Sequence, residues 1–384
     1  MSQLRHAAGR GFHVPDGVYL LSHSVGCLPD TARDRLEWAF LARWEESASD
    51  AWPDWLRVID RLRASLASLF GGDMGEWCPQ PGVSAGVFRL LSALPPTDRK
   101  TLLLSRHAFP SIGYAMSGLD RLGYRLRLVD GDPTDIDRWA EAMSGDVAAA
   151  VFMHVHSNNG LVSPIAGLAA LARSRGVFTI VDVCQSVGIL PLSVEELGTD
   201  AVAGSCVKWL CGGPGAGFLW VRPSWIAHLS PPDRGWFSHA EPFEFRIDDF
   251  RYAPDALRFW GGTPSIAPFA LAGAGIEAIE SIGVPTIYAH NRRCLEALRE
   301  LLPSALGERL TMEGRGGTLC LEAGNGAPAL EARFRNAGCR VDRRDTVIRL
   351  SFHIFNTGSD VETVAGVLRD HPGQNGLRLA PAAH

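Results

Sequence analysis

The chain has 384 residues, 46% hydrophobic and 21% charged, with a formal net charge of −5, a globular balance that excludes a basic nucleic-acid footprint and a like-charge tail. No apolar run approaches the roughly 18 residues of a membrane span, and the start "MSQLRHAAGRGFHVPDG" holds no apolar signal core. Eight scattered cysteines without a CxxC pair argue against a disulfide framework and for free thiols in a reducing, cytoplasmic setting.

In chain order, the tryptophan-rich "ARWEESASDAWPDWLRVIDRL" (42–62) comes first. It reads as a helical segment whose Trp44, Trp52 and Trp55 pack in a core or a dimer contact. Short runs of branched residues bounded by turn signals then predict strands at 101–105, 124–130, 147–156, 177–183, 200–206 and 217–221. Helical patterns lie between them, as at 163–176, where Ser163-Pro164 opens a helix and Gly176 closes it. This alternation predicts an α/β fold with a mostly parallel central sheet sandwiched by helices. The last third changes character. Helices at 269–283 and 286–302, a strand at 318–324, a helix near 327–337, a strand at 347–352 and a helix near 359–369 predict a smaller α+β domain. The expected organisation is an N-terminal arm (1–45) packing with the small domain, a large α/β domain (46–265) and a small C-terminal domain (266–384).

Two strand ends carry chemistry. Asp182 closes "TIVD", and Lys208 follows the next strand in "SCVKWLCGGPGAGFLWV". In open α/β sheets ligands sit outside the carboxyl ends of strands, so the two side chains can share one crevice. An ammonium among small and apolar residues is costly to bury alone. One reading is a structural ion pair. The other is pyridoxal 5'-phosphate, which takes a lysine at its aldehyde carbon and an acid at its pyridine nitrogen. The residues alone leave both open.

The run from Asp182 through Gly217 resembles the fold-type I pyridoxal-phosphate enzymes of the class V aminotransferase group, which includes cysteine desulfurases, isopenicillin N epimerase-like proteins and kynureninases. "VDVCQSVG" is similar to the group's Asp-x-x-His/Gln signature, which implies Asp182 at the ring nitrogen and Gln185 at the ring hydroxyl. The lysine motif implies Lys208 as the covalent anchor, with Ser205 beside the cofactor. "PGVSAGVFRLL" (81–91) resembles the phosphate-binding turn, with the amides of Val83 and Ser84 and the Ser84 hydroxyl at a helix N-terminus. "HAFPSIGY" (107–114) implies Phe109 as the stacking ring. "VYLLSHSVGCLP" (18–29) resembles the N-terminal substrate loop, with His23 in the substrate position. "VIRLSFHIFNT" (347–357) implies Arg349 as the grip on the substrate α-carboxylate. "RGWFSHAEPFEF" (234–245) and "RFWGGTPS" (258–265) resemble kynureninase within the group. They imply Trp236 at the phosphate, His239 near the substrate and Thr263 from the neighbouring subunit, hence a homodimer. Asn158 falls in the substrate segment.

Three positions depart from that pattern. Val207 stands where the family has Tyr or His before the lysine, Ile112 where it has Asp, and His156-Ser157-Asn158 where it has Asn-Tyr-Arg. The expected function is therefore a kynureninase-like lyase or hydrolase acting on an α-amino acid, by Cβ–Cγ cleavage or β-elimination. A class V aminotransferase, epimerase or C–S lyase is the alternative.

Other patterns compete. "HVH" (His154, His156) places alternate residues on one strand face, and with Asp182 or His353 it would make a metal-dependent hydrolase. No zinc-like ligand spacing accompanies it, and no bound metal is expected. "GGPGAG" (212–217) precedes a strand and lacks the P-loop lysine, so it reads as a tight turn. Cys206, Cys211, Cys320 and Cys339 read as structural thiols, which argues against a persulfide-forming cysteine.

Overall fold

The computed structural model describes residues 11–46 and 50–382. Residues 1–10, where most of the signal-segment reading and the start of the expected arm fall, lie outside the described residues, as do 47–49 of the tryptophan-rich segment and 383–384.

Seven strands form the central sheet: β1 (Trp77–Gln80), β2 (Thr101–Ser105), β3 (Arg125–Val129), β4 (Val147–Met153), β5 (Phe178–Asp182), β6 (Ala201–Ser205) and β7 (Gly217–Val221). Their order is β1-β7-β6-β5-β4-β2-β3. β2 to β6 pair parallel, while β7 runs antiparallel to both β6 and β1. β2, β4, β5 and β7 are buried along their whole length, as a sheet covered on both faces requires. The reversal at β7 has a simple cause. Residues 206–216 are fewer than the dozen or so that a parallel crossover needs, so the chain returns directly and the lysine turn is a hairpin connection.

The first strand gave no pattern in the sequence. "WCPQ" contains Pro79, which a strand tolerates at a sheet edge, and β1 pairs with β7 alone. The tryptophan-rich segment is helical in two pieces, Ala42–Glu46 and α1 (Trp52–Phe70), the second opened by Pro53 in its first turn. Trp52 and Trp55 pack against the large core, whereas Trp44 is 63% exposed. The covering helices include α2 (Val83–Ser92), α3 (Pro110–Ser117) and α4 (Ile165–Ser174).

Helices α5 (Ala267–Ile282) and α6 (Val284–Leu301) lead into the small domain. Its antiparallel sheet comprises β8 (Thr318–Glu322), β9 (Asp342–Arg344), β10 (Val347–Ser351) and β11 (Arg378–Leu379), in the order β9-β10-β8-β11. α7 (Ala327–Asn336) and α8 (Gly358–Arg369) complete it. The N-terminal stretch is stitched to this domain, since Val18–Tyr19 pair in parallel with Cys339–Arg340 and Leu21 bridges to Ser351. Apolar packing divides late. The large core continues through α5 to Ile287, and the small core begins again at Cys294 on α6. Among the described residues, no single helix is long and apolar enough to cross a membrane.

The N-terminal loop also touches the lysine turn. The Gly26 amide donates to the Val207 carbonyl at 2.8 Å. A Cβ on Gly26 would lie 2.2 Å from the Lys208 carbonyl oxygen and 2.7 Å from the Cys211 Cα, so only glycine fits. Gly26→Ala is expected to cost about 1–3 kcal/mol of stability through overpacking. A lowered thermal midpoint by calorimetry checks this, and an unchanged midpoint would count against the close approach.

Candidate active site

A cavity of about 330 Å³ opens at the carboxyl ends of β4, β5 and β6 and the N-terminus of α2. Its lining brings together His23, Val83, Ser84, Phe109, Asp182, Gln185, Ser205 and Lys208, all of them residues anticipated from sequence, together with Val207 and Ile112. The strand-end rule for open sheets accounts for this convergence.

Each element positions its side chain for a local reason. β5 ends at Asp182, whose Oδ1 accepts the Cys184 amide at 2.8 Å within the tight turn that follows. Asp182 is buried at 8% exposure. α2 begins after Gly82 with no side-chain cap, so its first amides face the cavity end and suit an anion. The Gln185 amide donates to the His23 carbonyl at 3.0 Å, while its Oε1 is buried without a partner. Such an orphan in a pocket marks a place where a ligand group belongs. The Lys208 Nζ lies 5.8 Å from the Phe109 ring centroid, and among the described residues it makes no ion pair. An anion-ready helix end, an acid at a strand end, an unpaired lysine, an open aromatic face and an unpartnered amide oxygen fit the phosphate, pyridine nitrogen, aldehyde carbon, ring and ring hydroxyl of pyridoxal phosphate.

His23 is fully buried. Its Nδ1 lies 2.9 Å from the Ser351 hydroxyl and its Nε2 3.1 Å from Asp342 Oδ1. Burial lowers its pKa to about 4, against the opposing pull of Asp342. Burial pushes the Asp342 carboxyl up, but hydrogen bonds from His23 and Arg349 outweigh it and hold it well below the usual carboxylate range.

Arg349, which the resemblance assigns to the substrate α-carboxylate, is held by its own chain. It is 1% exposed and does not line the cavity. Its Nε donates to Asp342 Oδ1 at 2.8 Å, its Nη2 pairs with Asp342 Oδ2, and its Nη1 donates to the Ser157 carbonyl at 3.0 Å. The guanidinium fork is thus closed on a carboxylate of its own chain. Arg344, which the sequence reading passed over, does line the cavity. Its Nη1 donates to Ser157 Oγ and Asn158 Oδ1, both at 3.1 Å, and its Cζ lies 5.4 Å from the Phe109 centroid. Asn158 is exposed and reaches the site through that bond. "DRRD" reads as a solvated charged turn, and nothing in it signals a pocket residue.

Three anticipated residues lie apart from this cavity. Trp236 and His239 line a second hollow with Phe245 and Ile247, and Thr263 is exposed. The His239 ring is engaged locally, with Nε2 2.8 Å from the Asp249 carbonyl and Nδ1 accepting the Glu241 amide at 2.9 Å. The "HVH" pair does not assemble as a metal-hydrolase centre. β4 ends at Met153, and Met153 and Val155 face the cavity. His154 Nδ1 lies 2.9 Å from Ser186 Oγ, and His156 Nε2 3.1 Å from Ser163 Oγ. Among the described residues no group of three His, Cys, Asp or Glu is placed to hold a metal ion. The thiols beside the lysine are buried, and burial pushes Cys206 up to about 12. Cys320 and Cys339 sit buried in strands.

A family model described as Aminotransferase class-V matches residues 99–364. The chain belongs to the class-V aminotransferase family. A kynureninase from Pseudomonas fluorescens is 29% identical over 313 residues, covering 78% of this chain and 73% of that protein. A kynureninase from Burkholderia pseudomallei (strain K96243) is 27% identical over 381 residues, covering 94% and 90%. Among solved structures, the apo cysteine desulfurase from Thermococcus onnurineus NA1 superposes with a TM-score of 0.79 at 19% identity, covering 92% of this chain and 94% of that one. The cystine C-S lyase C-DES with its product cysteine persulfide gives 0.81 at 20%, covering 93% and 98%. These likenesses establish the class-V fold, with its mostly parallel sheet between helices.

The buried histidines tie the stability of the fold to pH. His23, His156 and His353 are buried, and burial lowers each to about 4 from an ordinary 6.5. The unfolded chain therefore binds more protons between these values. Stability from these groups is full above about 6.5 and is lost as pH falls toward 4. Thermal midpoints between pH 7 and 4 are expected to fall steadily, and a flat profile from 6.5 to 5 would contradict the assignment.

Proposed function

We propose that this chain is a pyridoxal 5'-phosphate enzyme acting on an α-amino acid, with kynureninase-like Cβ–Cγ cleavage as its reaction. The observation that carries the reading is the meeting of Lys208 and Asp182 in one crevice with the uncapped N-terminus of α2. The kynureninase relatives, matched over most of their length, support the choice of reaction.

When bound, the cofactor supplies an electron sink for the carbanion formed at the substrate Cα. The protein's residues do the rest. Lys208 would hold the cofactor and, with its amine free, would carry a proton between the substrate Cα and another substrate atom. Asp182 holds a proton on the pyridine nitrogen. The Val83 and Ser84 amides and the Ser84 hydroxyl bind the phosphate, with Ser205 beside it. Gln185 meets the ring hydroxyl and Phe109 covers the ring. Met153, Val155, Ile112 and Val207 make the remaining walls apolar and limit water.

Hydrolytic cleavage also needs an acid late in the reaction, and Val207 offers no proton at the position where the family carries Tyr or His. That observation favours a second reading at the same site, β-elimination of a leaving group from Cβ. We further propose a cytoplasmic homodimer, in which Trp236, His239 and Thr263 reach the neighbouring subunit's cavity. The exposed Phe245 and Ile247 beside Trp236 would then be covered.

Borohydride reduction of the protein loaded with pyridoxal phosphate, followed by peptide mass mapping, is expected to place the cofactor on Lys208. Lys208→Ala should abolish the labelled peptide, and labelling elsewhere would end the reading. Asp182→Asn is expected to keep the label and lower turnover at least 100-fold, on the scale of lost electrostatic stabilisation. Assays with kynurenine, 3-hydroxykynurenine, cysteine conjugates and amino-group acceptors then decide the reaction.

A further inference from the structure

We propose that Arg344 reads the substrate's side chain, and that this side chain carries a carboxylate. The inference rests on the reading of the cavity as a site for an α-amino acid, and it narrows that substrate to an acidic one. The α-carboxylate is left to Arg349, as the family resemblance implies.

Two cations line the cavity, Lys208 and Arg344. Lys208 has its use at the cofactor, and the cofactor's phosphate has the N-terminus of α2. Arg344 has neither. It is half-buried, and burial together with the like charge of Arg349 lowers its pKa. Among the described residues it forms no ion pair. Its two hydrogen bonds go through Nη1 to neutral acceptors, Ser157 Oγ and Asn158 Oδ1, both at 3.1 Å. The Nε and Nη2 edge makes no hydrogen bond among the described residues, and this edge can take a carboxylate by two parallel bonds. The lining that Arg344 shares includes the apolar Phe109, Ile112 and Val155. A guanidinium in such a setting is costly without a counter-charge.

Strand register explains why this arginine reaches the cavity. Side chains alternate along β9. Arg343 takes one side, where its Nε donates to Glu331 at 2.9 Å. Asp342 and Arg344 take the other. Asp342 lies opposite Arg349 and accepts from it at 2.8 Å, so the carboxylate on that face is already engaged. Arg344 lies opposite Val347, which has no charge to answer it. The Arg344 Cζ is 5.4 Å from the Phe109 centroid, and the Lys208 Nζ is 5.8 Å from the same centroid. The partners of the substrate's amine and of its side chain are thus disposed about a single ring.

The test uses the cofactor-loaded protein and reads the cofactor's absorbance as each ligand is titrated, not turnover. L-Aspartate, L-glutamate and L-aminoadipate are compared with their side-chain amides, and each acid also with its α-carboxamide. At least one acid is expected to bind roughly 10-fold or more tighter than its side-chain amide, the scale of a charge-assisted bond. Arg344→Gln should remove that preference while leaving the side-chain amides bound as before, which also shows that the variant is folded. It should leave the preference for a free α-carboxylate intact. Arg344→Lys should recover part of the side-chain preference. The proposal is overturned by a wild type that favours no acid over its side-chain amide. It is equally overturned by Arg344→Gln that keeps the preference, or that loses the α-carboxylate preference instead. Failure of the cofactor to attach to Lys208, read beforehand by borohydride reduction, is a separate result, which overturns the functional reading beneath it.

Discussion

The site depends on one crowded turn. Residues 206–211 carry Lys208, and three glycines let other parts of the chain press against them. Beyond the Gly26 contact, a Cβ on Gly275 of α5 would lie 2.3 Å from the Leu210 carbonyl oxygen, and one on Gly212 would lie 2.8 Å from the Ala272 Cα. Cys211 adopts a left-handed φ of 54°, a strained choice for a side chain that persists where the surroundings over-determine it. From the small domain, His353 stacks on Trp209 at 5.8 Å and its Nε2 lies 3.2 Å from the Trp209 carbonyl. The N-terminal loop, helix α5 and His353 all end on this turn. The lysine is therefore aimed by packing and needs no ion pair to hold it.

Charge around the cavity is arranged in two separate sets. His23, Asp342 and Arg349 form a buried unit in which a neutral imidazole and an ion pair carry no net charge. It joins the N-terminal loop, β9, β10 and the Ser157 backbone. The second set is Lys208, Asp182 and Arg344, none of which forms an ion pair among the described residues. Unpaired charges beside an uncapped helix end are expensive without a ligand. They make sense where a zwitterionic, phosphate-bearing set of molecules completes them.

The sequence was legible where local pattern decides structure. Strands 101–105 and 217–221 fall where branched runs between turn signals place them, and Asp182 and Lys208 meet because strand ends in such sheets share a crevice. The edge strand with Pro79 carried no such pattern. The direction of β7 followed from loop length, which the strand list alone did not weigh. "HVH" keeps its alternation, but Met153 and Val155 take the cavity side, and the histidines bond to Ser186 and Ser163 instead. Asp342 and Arg344 were invisible for a deeper reason. Their roles depend on which residue of β10 lies across from Asp342, and register is set by tertiary pairing. A slip of one residue would turn Asp342 away from Arg349.

The departures from the family pattern also sort by role. Asp182, Gln185, Ser205 and the α2 N-terminus line the part of the cavity proposed to meet the cofactor, and each is of the type the family resemblance implies. Ile112 and Val207 line the same cavity, and Asn158 reaches it through its bond from Arg344. The missing arginine of the 156–158 segment has a spatial counterpart, for Arg344 from β9 donates to Asn158. Specificity resides in contacts that distinguish one substrate from another, whereas the electron sink serves any α-amino acid. A chain can therefore hold the chemistry of its family in one set of residues while another is rebuilt for a different side chain. The kynureninase likeness speaks for the first set, and Ile112, Val207, Asn158 and Arg344 define the question that remains for the second.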